Sequence, residues 1–193
     1  MTGGNIISFL SYNNINLDQA YEIFKTSYDK STGASWSKDK FIQRASHWKF
    51  YGDQDGYVAV RPQRSGMMKL NGVAGNPKSI VKGLKELLAE NHPTWGMVSQ
   101  DMLPMAHKIG FITPPAFVIK SLVKSIPASV FGADFDVNGD GSITLHYHDV
   151  GPSTKYFIAN KQYFKQLLPR VSSSSTDNVT KYVVKTLEMI TKG

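Results

Sequence analysis

Met67-Met68-Lys69-Leu70-Asn71-Gly72-Val73 is a strand-like run that leads into a Gly75-Asn76-Pro77 turn. Ser79-Ile80-Val81-Lys82-Gly83-Leu84-Lys85-Glu86-Leu87-Leu88 follows, with apolar residues at helical spacing. A short apolar strand comes next, Trp95-Gly96-Met97-Val98. A second helical segment then closes on Lys108-Ile109-Gly110-Phe111. The order strand, helix, strand, helix is the signature of an α/β chain.

Upstream, residues 5–12 read as a first strand, and Asn16 or Asp18 can cap a helix reaching about Tyr28. Residues 31–35 read as a loop. Ser37 caps a second helix, with Phe41, Ile42, Ala45 and Trp48 on one side, ending near Gly52. Asp53-Gln54-Asp55-Gly56 is a turn, Tyr57–Val60 a strand, and Arg61 to Gly66 a hairpin-like connection. Downstream, Thr113-Pro114-Pro115 breaks the chain before a helix over 116–126. Two strands flank Asn138-Gly139-Asp140-Gly141 and a third runs through Tyr156-Phe157-Ile158. Lys161 to Leu168 reads as a short helix. A Ser-rich linker from Val171 leads to a last amphipathic helix capped by Asp177, with Val179, Tyr182, Val183, Leu187 and Ile190 on its apolar side.

This order resembles the core of the GCN5-related N-acetyltransferase (GNAT) family. The family pattern has an apolar residue, four others, Arg or Gln, then small residues at alternating sites. Val73 stands at the apolar position, Lys78 at the Arg or Gln position, Ser79 and Val81 where glycines are usual, and Gly83 at the last small position. The resemblance implies a mixed, mostly antiparallel twisted sheet with helices on both faces, a domain over 1–170, and a C-terminal helical extension over 171–193. It implies acetyl-CoA or another acyl-CoA as cosubstrate, its pyrophosphate held by Val73, Lys78, Ser79 and Gly83. The reaction would be acyl transfer to an amine, with a backbone N–H near Val73 stabilising the oxyanion. Ala106 stands where the family places a tyrosine acid, four residues before the Gly-Phe pair. The same scaffold without CoA would be a nucleic-acid or protein binding module. DNA-base modification, as in distantly related phage enzymes, is a third reading.

Chemistry-bearing side chains lie elsewhere too. Asp101, at the end of the apolar strand, suits a helix N-cap or a base. His146 and His148 share one face of a strand; an imidazole there can deprotonate an amine or, with Asp149, approach a metal. Asp136, Asn138, Asp140 and Gly141 match the opening of an EF-hand calcium loop. Position twelve is Tyr147 rather than a carboxylate, and Ile143, Leu145 and Tyr147 alternate, so a hairpin without a tight calcium site is expected. No metal site is assigned. Arg61, Arg64 and Lys69, with Trp48 and Tyr57, could form a basic aromatic surface. His47 reads as surface, Trp48 as core.

Net charge is +7 with a pI near 9.5, which favours anionic partners such as nucleic acid or CoA phosphates. The chain has no cysteine, so thiol chemistry and disulfides are excluded, and a reducing, cytoplasmic setting fits. No apolar run reaches membrane-spanning length and no signal-peptide pattern opens the chain, so no membrane partner is expected.

Overall fold

The computed structural model describes residues 10–11, 13–25, 36–125, 134–147, 151–174 and 178–192. The expected strand over 5–12 and the loop over 31–35 therefore fall outside the description, apart from Leu10 and Ser11; Leu10 bridges Asn16. The chain is α/β, with seven helices and seven strands among the described residues. It divides into two compact units, 1–89 and 90–193.

In the first unit, α1 (Leu17–Lys25) and α2 (Lys38–Ala45) precede β1 (Lys49–Asp53), β2 (Gly56–Pro62), β3 (Met68–Gly75) and α3 (Pro77–Ala89). Asn16 caps α1, its Oδ1 accepting from Gln19 N–H at 3.1 Å. Ser37 caps α2, accepting from Lys40 N–H at 3.2 Å. The strands form an antiparallel meander, with Phe50 opposite Ala59, and Ala59 opposite Gly72. β1 corrects the sequence reading, which carried the second helix on to Gly52. Phe50 and Tyr51 sit on opposite faces of the pleat and both are buried, so no alternation marks the strand. The face bearing Phe50, Tyr57, Ala59 and Ala74 packs on Leu17, Ala20, Phe41, Ala45 and Trp48. Rings run through this core from Phe24 and Trp36 to Phe41, Trp48, Phe50 and Tyr57, at centroid spacings of 4.9 to 6.3 Å. Each such ring contributes about 1.5–3 kcal/mol of burial. α3 lies on the opposite face. A Cβ on Gly56, which points that way, would come within 2.9 Å of Ser79 Cβ.

In the second unit, β4 (Thr94–Val98) leads through a short 3-10 turn, Gln100–Met102, into α4 (Leu103–Ile109). α5 (Ala116–Ser125), β5 (Asp134–Val137), β6 (Ser142–Tyr147), β7 (Gly151–Ala159), α6 (Lys161–Ser174) and α7 (Asn178–Thr191) follow. Strand order is β4-β7-β6-β5, all antiparallel. Asn160 ties β4 to the start of α6: its Oδ1 accepts from Thr94 N–H at 2.9 Å and Tyr163 N–H at 3.0 Å, and its Nδ2 donates to His92 O at 2.6 Å. Trp95, Phe157, Tyr163 and Phe164 are fully buried around this knot. Residues 171–174, expected in a linker, continue α6 past Pro169, and Val171 is buried.

Candidate functional site

The expected phosphate turn is built from Val73 at the end of β3 through the first turns of α3. Gly75 has φ +97°, a left-handed conformation suited to glycine, and turns the chain. Asn76 then caps the helix, with its Oδ1 accepting from Lys78 N–H at 2.9 Å and its carbonyl from Ile80 N–H at 3.0 Å. Asn76 N–H itself donates to Asp55 O at 2.9 Å. Ser79 is buried, and its hydroxyl donates to the Asp53 carboxylate, which also lies 3.9 Å from Lys82 Nζ. The Ser79 hydroxyl, then the Asp55 N–H, hold Asp53 below the ordinary carboxylate value.

A helix N-terminus attracts anions through free N–H groups and partial positive charge. Here an Asp53 carboxylate already answers that charge, from the β1–β2 hairpin. Gly83 is no loop residue. It sits inside α3, where an added Cβ would meet the Tyr51 carbonyl oxygen at 2.6 Å. Its glycine serves close helix–strand packing. Val73, Lys78, Ser79 and Gly83 thus share one strand–helix junction, of which Lys78 alone is well exposed.

Asp101 lies exposed in the Gln100–Met102 turn. It is not a cap, which corrects the first of the two roles expected for it: Ser99 holds the cap position of that turn and Met102 that of α4, neither with a side-chain bond. The 3-10 turn inserted before α4 moves the helix start past Asp101. His146 is in β6, opposite Asp134 in β5 and Pro152 in β7. His148 and Asp149 lie outside the described residues. Among the described residues no three His, Asp or Glu side chains gather as a metal set. Ala106, at the family's acid position, is fully buried, so its side chain meets core rather than a cleft. On the neighbouring His107, Nε2–H donates to Thr113 Oγ1 at 2.8 Å. That direction follows because the Thr113 hydroxyl gives its own proton to Phe157 O at 2.8 Å.

The calcium-like loop is a hairpin turn. Val137 pairs with Ile143, and Asp136 with Thr144. Asn138 Nδ2 donates to Ser142 Oγ at 2.9 Å and Thr144 Oγ1 at 3.0 Å. Asp140 Oδ1 accepts from Ser142 N–H at 2.9 Å and Ser142 O–H at 2.6 Å. The left-handed glycine is Gly141, at φ +90°, not Gly139, so the Asn-Gly pair does not form the two-residue turn it signals.

The basic aromatic surface is only half present. Trp48 and Tyr57 are core, and the Tyr57 hydroxyl donates to Ala20 O at 3.0 Å. Arg61 pairs directly with Lys69 across β2 and β3. Burial, with the Arg61 charge alongside, lowers Lys69 to about 8. A longer cationic feature is on α3. Lys78, Lys82 and Lys85 are exposed at i, i+4 and i+7, which places them on one face over about 10 Å. That spacing was readable in the sequence. The first unit carries twelve Lys and Arg against seven Asp and Glu.

No family model, curated protein or solved structure matches this chain. Among the described residues no helix is long and apolar enough to cross a membrane.

Proposed function

We propose that this protein is a GNAT-like scaffold that binds nucleic acid rather than acyl-CoA. The carrying observation is the exposed row Lys78, Lys82 and Lys85 on a helix whose first turn already holds the Asp53 carboxylate through Ser79. The row spans about 10 Å, the length of roughly three phosphates of a strand at 3.4 Å each. Its lysines contact phosphate without reading sequence. Support for the finer fold is the order of two helices, a three-strand meander, α3, β4 and α4. The test is fluorescence anisotropy with labelled single-stranded DNA at several salt concentrations. Each phosphate contact adds about −0.7 to the log–log salt slope, so Lys78→Ala with Lys82→Ala and Lys85→Ala should flatten it by about 2.

Acyl-CoA-dependent transfer to an amine is the second reading. What favours it is the β3–α3 junction followed by α4 ending at Gly110, where φ is +131°. Asp101 or His146 would then serve as base. Micromolar acetyl-CoA binding by calorimetry, with no DNA binding, would replace the first reading by the second.

A further inference from the structure

A cavity of about 290 Å³ opens in the first unit between the start of α1 and the outer edge of β1. Ala20, Phe50 and Tyr57 form an apolar floor, and Asn14, Gln19 and Gln54 bring exposed carboxamides to the rim. The floor offers little backbone polarity. Asn13 holds both Phe50 groups, donating to its carbonyl at 2.9 Å and accepting from its N–H at 3.2 Å. Gly52 N–H is taken by Glu86 Oε1 at 3.1 Å. The Tyr57 hydroxyl is spent on Ala20.

A carboxamide presents a donor and an acceptor side by side, which is the complement of a nucleobase edge. The apolar floor, where the Phe50 and Tyr57 rings meet edge to face at 4.9 Å, offers contact to a base ring, and a concave site of this kind takes a base only when it is out of a duplex. Asp53, at the end of β1, lines the cavity and lies 3.9 Å from Lys82, the middle lysine of the row. We propose that the cavity accepts one unpaired nucleobase of a single strand whose phosphates lie along Lys78, Lys82 and Lys85. The proposal rests on the nucleic-acid reading above.

The test compares the full chain on a labelled single-stranded DNA of mixed sequence and on an abasic strand of equal length. The rim variant combines Asn14→Gly, Gln19→Ala and Gln54→Ala. Glycine keeps the left-handed backbone at position 14, where φ is +65°, and the other two side chains are exposed, so the fold is retained. Wild type should prefer the base-bearing strand by about 10-fold, the worth of one good base-edge contact, and the rim variant should lose that preference. Equal binding of both strands by wild type, or an unchanged preference in the rim variant, overturns the cavity proposal and leaves the lysine reading standing. Binding of neither strand sinks the nucleic-acid reading itself.

Discussion

The Asn76–Gly83 helix start of the first unit and the Asp136–Ser142 turn of the second both set small and oxygen-bearing residues at spacings that ligand sites use. They satisfy those groups over different ranges. In the second, Asn138 and Asp140 are answered by Ser142 and Thr144, within six residues. In the first, Ser79 is answered by Asp53, the Asn76 N–H by Asp55, and Gly83 lies against Tyr51, all more than twenty residues away, and the Asn76 carboxamide is the one group closed locally, by Lys78 N–H. A motif closed by its neighbours can be judged from the local pattern. A motif closed by a distant hairpin looks open until the chain is folded.

The largest effect that separates the two turns is steric. In Gly83→Val the new side chain would press the Tyr51 carbonyl, a backbone atom that cannot swing away, and should cost roughly 2–3 kcal/mol. In Gly139→Val the added atoms meet nothing within 4 Å, and stability should stay within about 0.5 kcal/mol. Denaturant midpoints at unchanged slope measure both. Equal midpoints would mean α3 does not rest on β1 as described.

The same distinction governs what was legible. The caps at Asn16 and Ser37 and the strand read over Ile143 to Tyr147 rest on local signals, and the structure carries both caps and the strand, as β6. β1 was missed because Phe50 and Tyr51 are buried on both faces, and their pairing partners lie across a turn. Asp101 was misplaced because an inserted 3-10 turn leaves no mark that capping preference can detect. In the candidate site, the lysine row follows from spacing. The cavity does not, because Gln54 joins Asn14 and Gln19 only after β1 pairs with β2.

Ligand titrations sharpen the comparison next. Wild-type protein should give no acetyl-CoA heat below the millimolar range. Asp53→Asn removes the competing charge and should raise affinity for inorganic polyphosphate about 3–10-fold, the worth of one screened charge at short range. Micromolar acetyl-CoA affinity in wild type would break the idea that this turn is closed.

Calcium probes the other turn. Up to millimolar calcium should leave the melting temperature unchanged, in wild type and in Asp136→Ala alike, because Asn138 and Asp140 are committed to the hairpin. A calcium-dependent rise that Asp136→Ala abolishes would show that the hairpin gives up those bonds to an ion.

The smallest difference is electrostatic. Asp53 and Asp140 both ionise below the ordinary carboxylate value, each chiefly through a serine hydroxyl, Ser79 for one and Ser142 for the other. Asp53 has further help from the Lys82 charge; Asp140 draws the rest from backbone N–H groups, that of Ser142 and then its own, and from no cation. A folded-state value below the unfolded one, about 3.9, means that each contributes stability in full above that pH and loses it as pH falls through the folded value. Ser79→Ala and Ser142→Ala should each return only their own carboxylate toward the ordinary value. Salt should act unequally, because screening weakens a charge pair at the surface and leaves a hydrogen bond nearly intact. Carboxyl-carbon NMR titrations at low and high salt should therefore show Asp53 moving up and Asp140 holding still. A salt response in Asp140 as large as that in Asp53 would mean that unlike charges, and not the local hydrogen bonds of the hairpin, set its ionisation, and the contrast between near and distant closure would fail at that residue.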